Sequence, residues 1–391
     1  MAFPLVSTSI SLFYFTFFGA LGIFLPYFSL WLVEHGLAPS EATRVLSLTP
    51  LMSLLAPPLV GLIADARRAR VWLLRGASLM TWLMFLGFFR AARRPELYLT
   101  TALFALFRAP LTSLADATTL DHVRRHGGSY GRLRLWGSLG FLVAVVGAGA
   151  LIERAGLPTL IGMAAWALGL CAATAWAMPA PAPVERRGIL GAWLHLLGDG
   201  DWWIFFVAVV LGQMATAAYD AGFSLHLSRL GFGGRFTGVA WATGVAAEIA
   251  LLAGSPLLVE RFGAGRLFAL SLSTAAVRWA LLSRVHSGAA ILCLQPLHGI
   301  TFGLFWVSAV TVVRDRGHAA PTAAQGLFAA AVGCGSLVGM NAAGVLFEAG
   351  GGRLLYGSAA VAALAAALCA GLFVKRTRRG SIEACSVARS P

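Results

Sequence analysis

Residues 104–141 read FALFRAPLTSLADATTLDHVRRHGGSYGRLRLWGSLGF. They belong to two apolar segments, each long enough to cross a bilayer, that meet at a short basic hairpin. Among the charged residues, Arg108, Asp116 and Arg134 lie inside these segments or at their ends. A charge at membrane depth costs about 2.5–3.5 kcal/mol on insertion scales, so it is kept mainly where it faces a polar cavity or a partner. We therefore interpret this stretch as part of a functional site.

The whole chain is too apolar for a water-soluble globule. Of its 391 residues, 58% are hydrophobic and only 12% are charged, and the mean hydropathy is +0.78. Apolar runs of about 20 residues recur throughout, and each predicts a spanning helix because a bilayer core is about 30 Å thick. The composition thus predicts an all-α integral membrane protein embedded in a lipid bilayer.

The net charge of +14 lies in loops rather than in a soluble domain, which argues against nucleic acid as a partner. The positive-inside rule makes the basic loops cytoplasmic. We expect an inner (plasma) membrane protein with both termini in the cytoplasm. One loop is an exception to this pattern, since it contains Arg90, Arg93 and Arg94 on the opposite side. The residues that set the pattern are Arg67, Arg68, Arg70, Arg124, Arg125, Arg132, Arg186, Arg187, Arg261, Arg266, Arg314, Arg316, Lys375, Arg376, Arg378 and Arg379.

Twelve spanning segments are predicted. Their approximate ranges are 7–33, 41–64, 71–90, 96–119, 131–152, 158–178, 202–228, 237–259, 266–283, 289–313, 322–347 and 354–374. The longest polar interruption predicts a boundary between two halves. We expect an N-terminal six-helix half at 1–178, a cytoplasmic central loop at 179–201, a C-terminal six-helix half at 202–374 and a basic cytoplasmic tail at 375–391.

A weak internal repeat supports the two halves. The second segment of the first half ends in APPLVGLIADARRAR (56–70), and SPLLVERFG (255–263) stands at the corresponding place of the second half. In the first copy we expect Gly61 to allow close helix contact, Asp65 to face a helix N-terminus and Arg68 to hold the loop at the cytoplasmic surface. These three residues are predicted to form a gating or structural loop.

The chain resembles transporters of the major facilitator superfamily over nearly its whole length. More narrowly, it is similar to the branch of phenylpropionate permease-like and lactose permease-like proton symporters. Four blocks carry this similarity in the order of that branch: YGRLRLWGSLGF (130–141), AAYDAGF (217–223), WATGVAAE (241–248) and LQPLHGITFG (294–303). The resemblance implies two pseudo-symmetric halves, a monomer, and alternating access to a central site.

The resemblance also implies roles for individual residues. Asp116 and Arg134 match a substrate-binding acid and arginine, Arg278 and His298 match a helix-nine arginine and a helix-ten histidine, and Asp220 matches an acid of helix seven. Two positions depart from the lactose permease pattern, since Thr301 replaces its proton-coupling glutamate and Gln295 replaces a lysine. We expect Arg108, Asp116, Arg134, Asp220, Trp241 and His298 to bind substrate, and Glu248, Arg278, His298 and Asp220 to couple protons.

Each charged residue also has a structural interpretation. Arg134 follows the basic hairpin and could snorkel to the interface, and Asp116 could neutralise a neighbouring arginine. Arg108 could pair with an acid of the second half. If Arg108 instead shares a cavity with Arg134, it favours an anionic substrate.

The second half leaves similar alternatives open. Glu248 lies in apolar surroundings, where a carboxyl group holds a proton more readily than in water, but it could form an ion pair with Arg278. His298 could bridge helices. Tryptophans at Trp136, Trp241 and Trp306 fill bundles more often than they stack on substrates.

We therefore expect a secondary transporter that imports a small organic solute with protons, an aromatic or other organic acid being favoured over a sugar or nucleoside. Proton-driven efflux and a non-transporting membrane sensor or scaffold are the alternatives. The five cysteines stand singly, and we find no metal-ligand spacing, phosphate loop or nucleophile motif. We thus predict no metal, no cofactor and no enzyme activity.

Overall fold

The structure is a computed structural model, and it describes residues 2–67, 70–179, 200–317 and 321–387. These residues contain helices and no strands. Backbone polar groups in a bilayer must be satisfied within the chain, which a helix achieves through its own hydrogen bonds. The predicted all-α membrane fold is confirmed.

Among the described residues, seven α-helices lie before residue 180. They are α1 (Ala2–Glu34), α2 (Pro39–Arg67), α3 (Arg70–Phe85, extended by the 3-10 turn Leu86–Phe89), α4 (Arg94–Arg108), α5 (Leu111–His126), α6 (Tyr130–Ala155) and α7 (Thr159–Trp176).

In the part of the chain that the structure describes after residue 199, there are six α-helices. They are α8 (Gly200–Arg229), α9 (Gly234–Phe262), α10 (Ala264–Leu282), α11 (Gly288–Leu294), α12 (Phe305–Arg316) and α13 (Pro321–Val387), with a π-helical segment at Gly299–Leu304 before α12. Helix α13 is broken at Gly350 and Gly351, and Gly351 has a φ of 61°, which favours glycine.

Ten helical stretches of the described residues are long and apolar enough to span a membrane. The last of them, Ala324–Thr377, contains the break at Gly350 and Gly351, and α10 is a further helix outside this set. These observations are consistent with twelve spans.

Three predicted segments are not uniform helices, and the one expected at 71–90 ends in the 3-10 turn Leu86–Phe89. The segment expected at 96–119 is divided into α4 and α5 at Ala109 and Pro110, because proline has no N–H to continue the helical ladder. The segment expected at 289–313 changes from α11 to the π-helical segment and then to α12.

The chain divides into two compact units. Unit 1 comprises Met1–Arg186, Asp220–Val245 and Met340–Glu348, and unit 2 comprises Arg187–Tyr219, Ala246–Gly339 and Ala349–Pro391. In unit 1, α1 packs against α6 and α7, and its rings Phe24 and Phe28 stack 4.1 Å apart. In unit 2, Phe205 and Phe268 belong to one buried aromatic cluster.

The predicted gating loop is largely outside the described residues. Arg68 lies in the gap at 68–69, and Gly61 and Asp65 lie in a part of α2 whose side chains are not described. Most of the expected central loop, 180–199, is outside as well. The roles of these residues stay predictions.

Candidate functional site

Asp116 of α5 accepts a hydrogen bond from a tyrosine of α1. The Tyr14 hydroxyl lies 2.6 Å from Asp116 Oδ1 and 3.2 Å from the Thr119 hydroxyl, and the Tyr14 side chain is fully buried. A buried hydroxyl in an apolar helix is normally hydrogen-bonded, and this one bonds to a carboxyl oxygen of another helix. The acid is therefore held by a neighbouring helix at a defined place in unit 1.

Arg134 of α6 lies over aromatic rings of α1. Its guanidinium carbon is 3.8 Å from the Phe18 ring centroid and 5.3 Å from the Tyr14 ring centroid. A Cβ at Gly137 would lie 2.7 Å from Arg134 Nη1, so the absence of a side chain there leaves room for the guanidinium. Tyr14 thus contacts the acid through its hydroxyl and the arginine through its ring.

Three other predicted substrate residues of unit 1 have different surroundings. The Arg108 guanidinium lies 5.9 Å from the Phe104 ring centroid, and within the described ranges Arg108 forms no ion pair. Trp241 is buried, and its indole N–H donates to the Ser224 hydroxyl at 3.2 Å. Asp220 is partly buried on α8. Their predicted roles in substrate binding are untested by this geometry.

Arg278 is the centre of a buried polar cluster in unit 2. Its side chain is 1% exposed. It donates to Gln295 Oε1 at 3.1 Å and to the Thr301 hydroxyl at 2.9 Å, and its Nη1 lies 3.2 Å from His298 Nδ1. The two positions that depart from the lactose permease pattern, Gln295 and Thr301, are thus neutral acceptors for this arginine.

Aromatic rings complete the surroundings of Arg278. Its guanidinium carbon is 4.7 Å from the Tyr219 ring centroid and 4.6 Å from that of Trp279. The Tyr219 hydroxyl donates to Gln295 Oε1 at 3.0 Å, so this amide oxygen accepts from two donors. Cation–π contacts and hydrogen bonds together offset the cost of removing the arginine from water.

His298 lies between Arg278 and Glu248. Arginine can only donate hydrogen bonds, so His298 Nδ1 must be the acceptor and the neutral ring carries its proton on Nε2. His298 Nε2 lies 3.8 Å from Glu248 Oε2, and the Glu248 side chain is 20% exposed. The histidine therefore presents an N–H to the carboxyl group.

Glycines of the π-helical segment bring it close to α9. A Cβ at Gly299 would lie 2.7 Å from the Ala247 carbonyl oxygen, and one at Gly303 would lie 3.1 Å from Glu248 Cγ. Single π-helical turns inside α-helices often occur at functional sites. Here the turn follows His298 directly and faces Glu248.

Reasoning from the sequence missed Tyr14 and Phe18 as neighbours of the charged residues. The available signal was a lone tyrosine in the aromatic run LFYFTFF (12–18). A hydroxyl in an apolar segment needs a hydrogen-bond partner, which the neighbouring phenylalanines do not offer.

Comparisons with known proteins agree with this fold. A model of the MFS_1 like family matches residues 7–357. The chain is 30% identical over 343 residues to the Escherichia coli K12 protein named "Probable 3-phenylpropionic acid transporter", covering 86% of this chain and 89% of that protein. It is 32% identical over 280 residues to the maltose permease of Geobacillus stearothermophilus, covering 70% of each.

Among solved structures, the chain is similar to a D323A mutant of the nucleoside transporter NupG. The TM-score is 0.81 at 15% identity, and the alignment covers 95% of this chain and 99% of that one. At this identity the structural similarity shows the fold alone. The family is shown by the family model, which matches residues 7–357. The chain therefore belongs to the MFS_1 like family of multi-pass membrane transporters and is not an enzyme.

Proposed function

We propose that this transporter is a proton-coupled symporter that imports a small organic acid by alternating access. It lies in the inner membrane as a monomer with both termini in the cytoplasm, and residues 1–178 and 202–374 are its two moving halves. Transporters of this kind carry substrate and coupling-ion sites near the bilayer midplane. The proposal depends most on the cluster of Glu248, His298 and Arg278.

Glu248 is the proton carrier in this proposal. It is a carboxyl group in an apolar helix, and His298 presents an N–H to it from 3.8 Å. His298 accepts from Arg278 at Nδ1, so it acts as a neutral link between the arginine and the acid. Protonation of Glu248 removes one negative charge from this cluster, which is the change that a coupled carrier needs.

The solute is an aromatic carboxylate in this proposal. Arg134 presents a planar fork that can bind a carboxylate by two hydrogen bonds, and it lies over Phe18 and Tyr14. The partly exposed Phe18 ring provides a surface beside the guanidinium for an aromatic solute. The relative named for 3-phenylpropionic acid agrees with this class, and the maltose permease makes a sugar the alternative to test.

The other predicted residues act around these two centres. Arg108 adds positive charge to the first half, which favours an anion, and Asp116 fixes Tyr14 beneath Arg134. Asp220 assists proton loading, and Trp241 contributes to solute contact.

The test is uptake into proteoliposomes that contain the purified protein. We expect accumulation of labelled 3-phenylpropionate when the outside is acidic, and little uptake of maltose or uridine under the same gradient. Accumulation of maltose or uridine instead would overturn the solute class. Proton-driven expulsion of the acid would indicate an exporter, and absence of both transport and solute exchange would favour a sensor or scaffold.

A matched variant links the uptake to Glu248. Glu248→Gln should abolish accumulation against a gradient while exchange of the solute continues. Glu260→Gln is the control, because Glu260 is an exposed glutamate near the end of the same helix, α9. If Glu248→Gln accumulates solute like the control, Glu248 is not the proton carrier.

A further inference from the structure

A five-residue motif, G-x-L-x-E, occurs once in each half of the chain. The copies are GALIE (149–153) near the end of α6 and GVLFE (344–348) in α13, just before the break at Gly350. By the predicted segment order, these are the ends of the fifth and eleventh spans. Both copies lie in unit 1.

The glutamate of each copy caps the N-terminus of another helix. Glu153 Oε2 accepts a hydrogen bond from the Arg235 backbone N–H at 2.9 Å, and Glu348 Oε1 accepts one from the Ser40 backbone N–H at 2.7 Å. Arg235 is the second residue of α9, and Ser40 is the second residue of α2. The first backbone N–H groups of a helix lack partners within it and favour a negative charge.

The glycine of each copy touches the same helix start that its glutamate caps. A Cβ at Gly149 would lie 2.4 Å from the Gly234 carbonyl oxygen. A Cβ at Gly344 would lie 2.5 Å from Ser40 Cα. Both contacts are too close for any side chain, so the two helices of each pair meet backbone to backbone.

Tyr27 of α1 adds a further link at the first of these contacts. Its buried hydroxyl oxygen lies 2.9 Å from the Val145 carbonyl oxygen and 3.2 Å from the Gly234 carbonyl oxygen, so its one hydrogen can be donated to either. It thus joins α6 and the start of α9 beside the contact that Gly149 makes.

The two contacts are related by the repeat of the chain. Gly149 and Gly344 are separated by the same number of residues as Ser40 and Arg235. Each half therefore contributes one motif and one capped helix start, and each motif binds the helix start of the other half. The arrangement occurs twice with the same spacing and the same hydrogen bond, which distinguishes it from an incidental surface contact.

We propose that Glu153 and Glu348 are a matched pair of positioning residues that hold one end of the transport pathway shut. Which side of the membrane this end faces is taken from the proposed function. In that orientation the end is external, because α2 and α9 start on the side opposite the basic loops. Opening to the outside breaks both caps, and the two caps act independently. Loss of a carboxylate charge at a helix N-terminus then raises the open population about two- to fivefold per glutamate.

The experiment measures opening by cysteine labelling, separately from transport. Thr43 and Thr237 are both 1% exposed and stand near the two capped helix starts. In a variant without the native cysteines, Thr43→Cys or Thr237→Cys reports opening to a membrane-impermeant maleimide added to right-side-out vesicles. We expect Glu153→Gln and Glu348→Gln each to raise the labelling rate about two- to fivefold, and the double variant to multiply the two effects.

Glycine variants provide a second and larger perturbation. Gly149→Ala and Gly344→Ala should raise labelling more than either glutamine variant, since the added methyl group cannot fit the closed contact. Gly147→Ala is the control, because a Cβ there meets no atom within 4 Å. Glu260→Gln is the control for a change of charge.

Unchanged labelling in both glutamine variants and in their double would overturn the proposal, as would equal effects of Gly147→Ala and Gly149→Ala. Increased labelling that occurs only in inside-out vesicles would support the paired caps while contradicting the orientation in the proposed function. Because labelling needs no solute, a failure of the symport proposal leaves this result interpretable.

Discussion

Two substitutions of His298 separate its two contacts. Asparagine places an amide oxygen near the position of Nδ1 and can accept from Arg278, whereas glutamine reaches the position of Nε2 and can donate toward Glu248. His298→Asn therefore keeps the 3.2 Å contact with Arg278 and loses the 3.8 Å contact with Glu248, and His298→Gln does the reverse.

The two losses differ in magnitude. A hydrogen bond from a charged donor contributes about 1.5–3 kcal/mol, and Arg278 is buried, so its lost acceptor is not replaced by bulk water. The contact of His298 with Glu248 at 3.8 Å is longer than a hydrogen bond and contributes about 0–1 kcal/mol. We expect His298→Gln to lower the free energy of unfolding by the larger amount and His298→Asn by the smaller.

Transport assays then test whether His298 itself carries the proton. Neither amide titrates, so if Glu248 is the carrier, His298→Asn should still accumulate solute under a proton gradient. The measurements are thermal unfolding in detergent and gradient-driven uptake beside solute exchange in proteoliposomes. Normal exchange with no gradient-driven uptake in His298→Asn would refute the assignment and place the histidine in the proton path.

Four further outcomes are expected. Glu248→Gln should make the rate of solute exchange independent of pH, because the amide does not titrate. The measurement is counterflow between about pH 5.5 and 8, with the unmodified protein beside the variant. Arg134→Lys should weaken binding of an aromatic carboxylate about tenfold, measured by calorimetry, because an ammonium group cannot make the paired contact. Tyr14→Phe should raise the KM about tenfold, because Asp116 loses the donor at 2.6 Å and then competes with the solute for the arginine. Gly299→Ala should lower stability by about 1–3 kcal/mol in thermal unfolding, whereas Gly254→Ala, where a Cβ meets nothing within 4 Å, should not.

The membrane fold could be predicted because each spanning helix satisfies its own backbone and must be apolar for about 20 residues. Breaks within spans were harder to predict. Pro110 divides α4 from α5, whereas Pro26 and Pro256 lie within α1 and α9. A proline in a membrane helix can be accommodated by its neighbours, so the residue alone does not say whether the helix ends.

The charged residues of the candidate site could be found from the sequence because charge is rare in a membrane helix. Their partners could not. The link between Arg278 and Glu248 passes through His298, and Asp116 is bound by Tyr14 rather than presented in isolation. Such contacts depend on how distant helices face one another, and neither periodicity nor composition contains that information.

The G-x-L-x-E motif shows why a repeat can be present in the sequence and still escape notice. Glycine, leucine and glutamate are common residues at the end of a membrane helix. Two distant copies of a motif made of them do not by themselves predict a contact. The glutamates of the motif bind the backbone N–H groups of Ser40 and Arg235. Every residue except proline has such a group, so no particular side chain marks these partners in the sequence. Because the capped group is backbone, the chain can keep the contact with serine in one half and arginine in the other. Repeated side chains therefore indicate only the glutamate of each contact and not its backbone partner.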